Sequence, residues 1–254
     1  MPIKLLTLVL DGTLLHTDKS ISGETLETLR RYREQGVLIV LATARSESSC
    51  RPYLDLVEPD FAILNGGGLV LRREEELYRL LIGQETSDRL VRELTACPSF
   101  ASISVEAPAG YYVEQRPEST WHYTNSEPLS LPFRRPAFKI TAELDCPQEA
   151  EPIARRHPDC TLVRFTGTKL CRFVPRDAEK FSAIRHIAAL SSIPLSDIAA
   201  FGDDLIDLEM IRGCGWGIAM ENAIPEVNAA ASHICPANDQ DGVAQWLNRF
   251  LPAP

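Results

Sequence analysis

Apolar residues fall in two different rhythms along this chain. At the N-terminal end they form near-continuous runs separated by amphipathic stretches. "IKLLTLVL" (Ile3–Leu10) reads as a buried strand. "SGETLETLRRYREQG" follows as a helix with Ser22 as N-cap, Leu26, Leu29 and Tyr32 on one face, and Gly36 as its stop. "VLIVLAT" is a second strand, "SESSCRPYLDLV" a helix, and "FAILNGGG" a third strand ending in a glycine turn. The C-terminal third repeats the alternation. A helix is expected from Glu179 to Leu190, then the strand "IAAFGDD", the helix "LIDLEMIRG", the strand "GWGIAM", the helix "IPEVNAAA", the short strand "HICPA" and the closing helix "DGVAQWLNRFL". Continuous apolar strands between helices are the signature of a parallel sheet covered on both faces.

The middle differs. Segments such as "SISVEA", "YYVEQ", "FKITAEL", "TLVRFTG" and "KLCRFV" alternate polar and apolar residues, with helices near Ser87–Ala96 and Gln148–Arg156. That pattern predicts a small inserted α/β unit with an antiparallel sheet. The expected organisation is therefore an α/β chain: residues 1–76 and 174–254 form a Rossmann-like, doubly wound parallel core, and 77–173 form the insertion.

With 254 residues, 44% hydrophobic and 24% charged, the chain has ordinary globular composition. Its net charge of −9 and its short, scattered basic pairs argue against nucleic-acid binding. The seven cysteines are widely spaced with no C-x-x-C pair, which predicts reduced, mostly buried thiols rather than disulfides or a zinc site. The apolar run before Asp11 is too short for a signal peptide or a membrane span, so a cytoplasmic protein is expected.

Ligands of open parallel sheets bind beyond the carboxyl ends of the strands. Four polar segments fall at strand ends or helix starts: Asp11–Thr13 ("DGT"), Ala42–Arg45 ("ATAR"), the helix start at Lys180, and Gly202–Asp207 ("GDDLID"). Together they bring carboxylates, a hydroxyl, an ammonium and backbone amides to one rim, a mixture suited to a phosphate held through a divalent cation. Each piece alone is an ordinary turn, cap or surface lysine; the order of all four gives them weight.

The succession "LDGTLL", "VLATAR", "ILNGGG", "EKFSAI", "FGDDLIDLEMI" and "GIAMENAIPEVNAAASHICPANDQDGV" resembles the Cof-type sugar-phosphatase branch of the haloacid dehalogenase superfamily. The inserted unit lies where that branch carries its α/β cap. The resemblance implies Mg2+-dependent hydrolysis of small phosphorylated metabolites. It places Asp11, Thr43 and Lys180 at catalytic positions and Gly12, Thr43 and Lys180 around the phosphate. Asp11 (through its carbonyl), Asp203 and Asp207 fall around the metal, with Asp207 supporting Asp203 from one helical turn on.

The departures sit around the chemistry. The branch opens with D-x-D-G-T, whose first Asp attacks phosphorus and ligates the metal; here that residue is Val9. Ile206 replaces the Asn of G-D-x-x-N-D, Ala44 a Gly, and Phe181 a small residue, which is expected to crowd the phosphate pocket. Loss of a covalent nucleophile costs about 10⁴–10⁶ in rate. The expectation is a phosphatase with impaired or lost turnover; the alternative is a non-catalytic relative that binds a phosphometabolite or a protein partner. Replacing a crowded carboxylate by Val also removes repulsion against Asp11 and Asp203, so the metal-free fold should gain stability. In the insertion, Glu118–Asn125 ("ESTWHYTN") is a candidate ligand-facing loop, although aromatics packing the insertion's own core account for it as well.

Overall fold

The computed structural model describes residues 3–117, 119, 126–165 and 167–249. In chain order, the first part holds β1 (Leu5–Val9), α1 (Gly23–Glu34), β2 (Leu38–Ala42), α2 (Glu47–Val57), β3 (Phe61–Leu64), β4 (Leu69–Arg72) and β5 (Glu75–Arg79). The middle holds α3 (Gln84–Thr95), β6 (Phe100–Ala107), β7 (Gly110–Gln115), β8 (Glu127–Pro128), β9 (Lys139–Leu144), α4 (Ala150–Arg156), β10 (Cys160–Arg164) and β11 (Leu170–Pro175). The last part holds α5 (Lys180–Leu190), β12 (Ile198–Gly202), α6 (Leu208–Gly213), β13 (Trp216–Met220), α7 (Pro225–Ala230), β14 (His233–Cys235) and α8 (Gly242–Leu247).

The chain divides into two compact units, one ending at Tyr78 and resuming at Glu179, the other Arg79–Ala178. The joins differ from the 76/77 and 173/174 expected from the sequence. At the second join, β11 keeps pairing with β10 through Pro175, opposite Cys160.

The core sheet has the order β14-β13-β12-β1-β2-β3-β4-β5. The strands from β14 to β3 are parallel, and β4 turns back antiparallel on β3. The hairpin β4–β5 has no counterpart among the expected elements, because its charged run Arg72–Glu76 masks the alternation. Strand order reverses around β1, flanked by β12 and β2, and this switch point is where an α/β sheet opens a crevice for ligands. Leu5 and Val9 of β1 share a face with Val40, Ala42 and Ile63, packed under Ala183, Ile184 and Ile187 of α5 and Met210 of α6. On the other face Phe201 meets Trp246 edge-on at 5.4 Å, and the Tyr32 hydroxyl donates to the Leu247 carbonyl.

Ser22 caps α1 by accepting from the Thr25 amide, and Gly36 follows the helix at φ 82°. The buried face is Thr25, Thr28, Leu29 and Tyr32; Leu26 lies at its margin. "LIDLEMIRG" is not one helix: Leu205–Asp207 form a 3₁₀ turn and α6 begins only at Leu208.

The inserted unit is a six-stranded sheet, β10-β11-β9-β6-β7-β8, antiparallel except for the β7–β8 pair. One face is apolar (Ile103, Val105, Ile140, Ala142, Phe173) and packs with Leu90, Leu94 and Ile153 of α3 and α4. The other carries Ser102, Ser104, Glu106, Lys139, Thr141 and Glu143, with Lys139 and Glu106 paired at 3.1 Å. Within the candidate loop Glu118–Asn125 only Ser119 belongs to the described residues; its hydroxyl donates to Glu143 at 2.8 Å. All seven cysteines are free thiols, and all but Cys146 are buried. Among the described residues no helix is long and apolar enough to cross a membrane.

Candidate functional site

The four polar segments meet at the carboxyl ends of β1, β2 and β12. After Val9 the chain leaves β1 in a tight turn closed by the Leu15 amide donating to the Leu10 carbonyl. Gly12 sits in that turn at φ 71°, and a Cβ there would lie 2.1 Å from the Asp203 carboxylate. Only glycine admits that conformation and that approach together. The turn delivers Thr13, whose hydroxyl donates to Asp203 Oδ1 at 2.6 Å. Asn222, just past β13, donates its amide to the Gly12 carbonyl, accepts from the Asn238 amide, and so ties the turn to the C-terminal segment.

Thr43 follows β2, 2% exposed, with its backbone bonded to Ile63 and Gly66 and its hydroxyl accepting from the Arg45 amide. The turn Asn65–Gly67 then brings the chain against the residue before Lys180. Gly67 has φ 109°, and a Cβ on it would stand 2.5 Å from the Glu179 backbone.

Lys180 opens α5 fully inside the protein. Its Nζ donates to Asp207 Oδ1 at 2.6 Å, with the two side chains 3% and 0% exposed. The second Asp207 oxygen accepts the amides of Asp203 and Asp204, both at 3.2 Å. Asp207 thus holds the strand-to-helix turn, through a 3₁₀ geometry rather than one face of an α-helix. Phe181 does not crowd this pocket: its ring packs on the core cluster and lies where a Cβ on Gly213 would be, 2.0 Å from Cζ.

Asp11 is turned to a different set of partners. Arg45 grips it with two bonds (Nε to Oδ2 at 2.7 Å, NH2 to Oδ1 at 2.6 Å), and Lys19 donates to Oδ1 at 2.9 Å. Burial pushes the Asp11 carboxyl upward, but the bonds and charges of Arg45 and Lys19 outweigh it and hold the group below its usual range. The same contact raises Arg45, whose guanidinium also lies over the Tyr53 ring at 5.1 Å. Arg45 was visible in "ATAR", but its partner was not; Lys19, Tyr53 and Asn222 carry no signal in sequence beyond their residue type.

Asp203 behaves oppositely. Burial is the main cause that lifts its pKa to about 6, opposed by the Thr13 hydroxyl and reinforced by Asp207. Because this value exceeds the ordinary 3.8, the fold is favoured while the carboxyl is protonated; that contribution is whole below 3.8 and lost as pH rises through about 6. Asp203→Asn, which keeps an acceptor for Thr13, should therefore stabilise the metal-free protein by about 2 kcal/mol above pH 7 and hardly at all at acid pH. Paired chemical melts at the two pH values check this, and an equal effect at both would contradict the assignment.

Val9 occupies the place of the missing carboxylate and is 5% exposed, packed with Ala42, Ile63 and Ile184. A carboxylate there would forfeit about 1.5–3 kcal/mol of apolar burial and stand in hydrocarbon. In EDTA, Val9→Asp should melt about 5–10 °C below wild type. A variant that melts higher would refute this.

Mg2+ takes oxygen ligands in octahedral array, keeps several of its waters and leans on one or two carboxylates and the phosphate of a bound substrate. Val9 offers none. Asp207 is engaged by Lys180 and two amides and the Asp11 carboxylate by Arg45 and Lys19, so Asp203 and the Asp11 backbone carbonyl are the residues that would hold the ion. Among the described residues no three His, Cys, Asp or Glu side chains converge in a way that could hold a metal.

Comparison with known proteins agrees with this architecture. The model of the haloacid dehalogenase-like hydrolases matches residues 7–247. The chain is 26% identical to the HMP-PP phosphatase of Klebsiella pneumoniae, covering 99% of this chain and 97% of that one. It is 25% identical to the 5-amino-6-(5-phospho-D-ribitylamino)uracil phosphatase YitU of Bacillus subtilis, covering 97% of each. A haloacid dehalogenase-like hydrolase from Bacteroides thetaiotaomicron superposes with a TM-score of 0.82 at 26% identity, over 98% of this chain and 99% of that one. The parallel core, the inserted α/β unit and the ordered polar turns thus have one source: the chain belongs to the haloacid dehalogenase-like hydrolases.

Proposed function

We propose that this rim receives the phosphate of a small phosphorylated metabolite and that phosphomonoester hydrolysis is lost or strongly impaired. Relatives of near-equal length carry the names of phosphatases acting on such molecules, which supports the ligand class. In this reading Lys180, Thr43 and the backbone at Gly12 hold the phosphoryl oxygens. The buried Lys180–Asp207 pair fixes the ammonium, and Gly12 brings its backbone to the rim with no side chain of its own, close against the Asp203 carboxylate.

The observation that carries the loss of turnover is the packing of Val9. Its branched side chain belongs to the hydrocarbon layer beneath α5, so no oxygen is available from the end of β1 to attack phosphorus. Asp11 cannot stand in: two residues beyond the end of the strand, its carboxylate is bound to two cations, which keep it ionised and turned away. The same ion pairs weaken it as a proton donor.

The test is to compare ligand binding with turnover in the purified protein. Inorganic phosphate should raise the melting temperature, while hydrolysis of p-nitrophenyl phosphate stays at background. Robust hydrolysis together with a trapped phosphorylated protein would overturn the proposal.

A further inference from the structure

We infer that the polar face of the inserted sheet carries an oxyanion site built on Arg172, which takes the paired oxygens of a small-molecule carboxylate or phosphate. Every residue of this site belongs to the inserted unit, so it goes beyond the phosphate reading of the rim. Strand alternation sets it up. In β11, Cys171 and Phe173 belong to the apolar cluster, so Arg172 falls on the opposite face, directly across from Thr141 of β9. There its Nε donates to the Thr141 hydroxyl at 3.1 Å, and its guanidinium lies over the Phe165 ring at 4.9 Å. Hydroxyl and ring together fix the plane of the fork. The two terminal nitrogens meet no acceptor among the described residues, and no carboxylate there comes within ion-pair distance.

The neighbouring charges do not fill that need. Glu106 pairs with Lys139 at 3.1 Å, and both are buried. Lys139 in turn feels Arg172 as a second positive charge. Glu143, the other acid on this face, accepts from the Ser102 and Ser119 hydroxyls at 3.2 and 2.8 Å. Asp145 and Lys169, at the strand ends, pair with each other at 2.6 Å. The face as a whole is balanced, but the group formed by Arg172, Lys139 and Glu106 keeps one net positive charge. Burial pushes the Arg172 pKa down, opposed by Tyr111 and Glu106, which shows how little counter-charge the guanidinium has. A desolvated cation without a counter-ion is costly to keep. The residue is still partly exposed, and its rigid fork matches two oxygens of one anion. A bound oxyanion would supply both missing bonds and the missing charge.

Modification of the whole wild-type protein by the arginine reagent phenylglyoxal, followed at each arginine by peptide mass spectrometry, tests this. In chloride buffer Arg172 should react, because its fork is open. In inorganic phosphate or malonate at matched ionic strength its rate should fall at least about threefold, while the exposed Arg134 reacts as before. Stronger protection by malonate assigns a carboxylate ligand, stronger protection by phosphate a phosphorylated one, and equal protection a site for either. An Arg172 that is unreactive in chloride, or that neither anion protects better than Arg134, overturns the inference.

Discussion

Lys180→Met should remove about 3–5 kcal/mol from the stability of the core, the amount by which stripping one partner from a buried ion pair destabilises a protein. The pair is buried, with Nζ and Oδ1 2.6 Å apart and the two side chains 3% and 0% exposed. Asp207 would retain the Asp203 and Asp204 amides on one oxygen and leave the other charged and unpartnered. A core of this size loses roughly 2–4 °C per kcal/mol, so the expected fall is about 6–20 °C. The penalty is mainly an orphaned charge. Asp207→Asn introduced into the Lys180→Met background should therefore recover a large part of it, and a double-mutant cycle should give a coupling of about 2 kcal/mol or more. A melting temperature within about 2 °C of wild type for Lys180→Met would show that this pair does not organise the turn. The expectation is indifferent to catalysis, which makes it a direct probe of the site's architecture.

Why some of this site was legible in the sequence, and some was not, follows from the range of the forces involved. The strands and helices of the core come from local periodicity, and the Ser22 cap is set by a bond between residues three apart. The motif turns also announce themselves locally, since Gly12 and Gly67 are needed by backbone geometry. Three features depend on partners far away in the chain. Arg45 meets Asp11 across 34 residues, Lys180 meets Asp207 across 27, and Thr13 meets Asp203 across 190. No spacing rule predicts which of several carboxylates an arginine will choose. The direction of Phe181 was missed for the same reason: whether an aromatic enters a pocket or a core is decided by the open face of Gly213, a residue 32 positions on. The 3₁₀ turn at Leu205–Asp207 replaced the expected helical start because Asp207 bonds to amides immediately before it, a tighter closure than an α-turn allows.

Val9→Asp should raise p-nitrophenyl phosphate hydrolysis from background by at least about tenfold, in a manner that depends on added Mg2+, and still fall well short of the 10⁴–10⁶ that a nucleophile is worth. The gain is expected because the new carboxylate stands at the end of β1, beside the turn that carries Asp11 and, through Thr13, contacts Asp203. The shortfall has two structural causes. The residue would begin among Ala42, Ile63 and Ile184, so swinging into the rim costs the burial that Val9 now enjoys. In addition, Asp11 must leave Arg45 and Lys19 before it can pass a proton to a leaving group. Val9→Asp combined with Ile206→Asn should then exceed the single variant, because the second change restores the Asn of the G-D-x-x-N-D pattern that the chain resembles, while Ile206→Asn alone should stay at background. Equal rates for single and double variants would confine the lesion to position 9. Hydrolysis by Ile206→Asn alone would mean that attack on phosphorus does not start from the end of β1 at all, since a solvent-facing amide cannot supply a nucleophile.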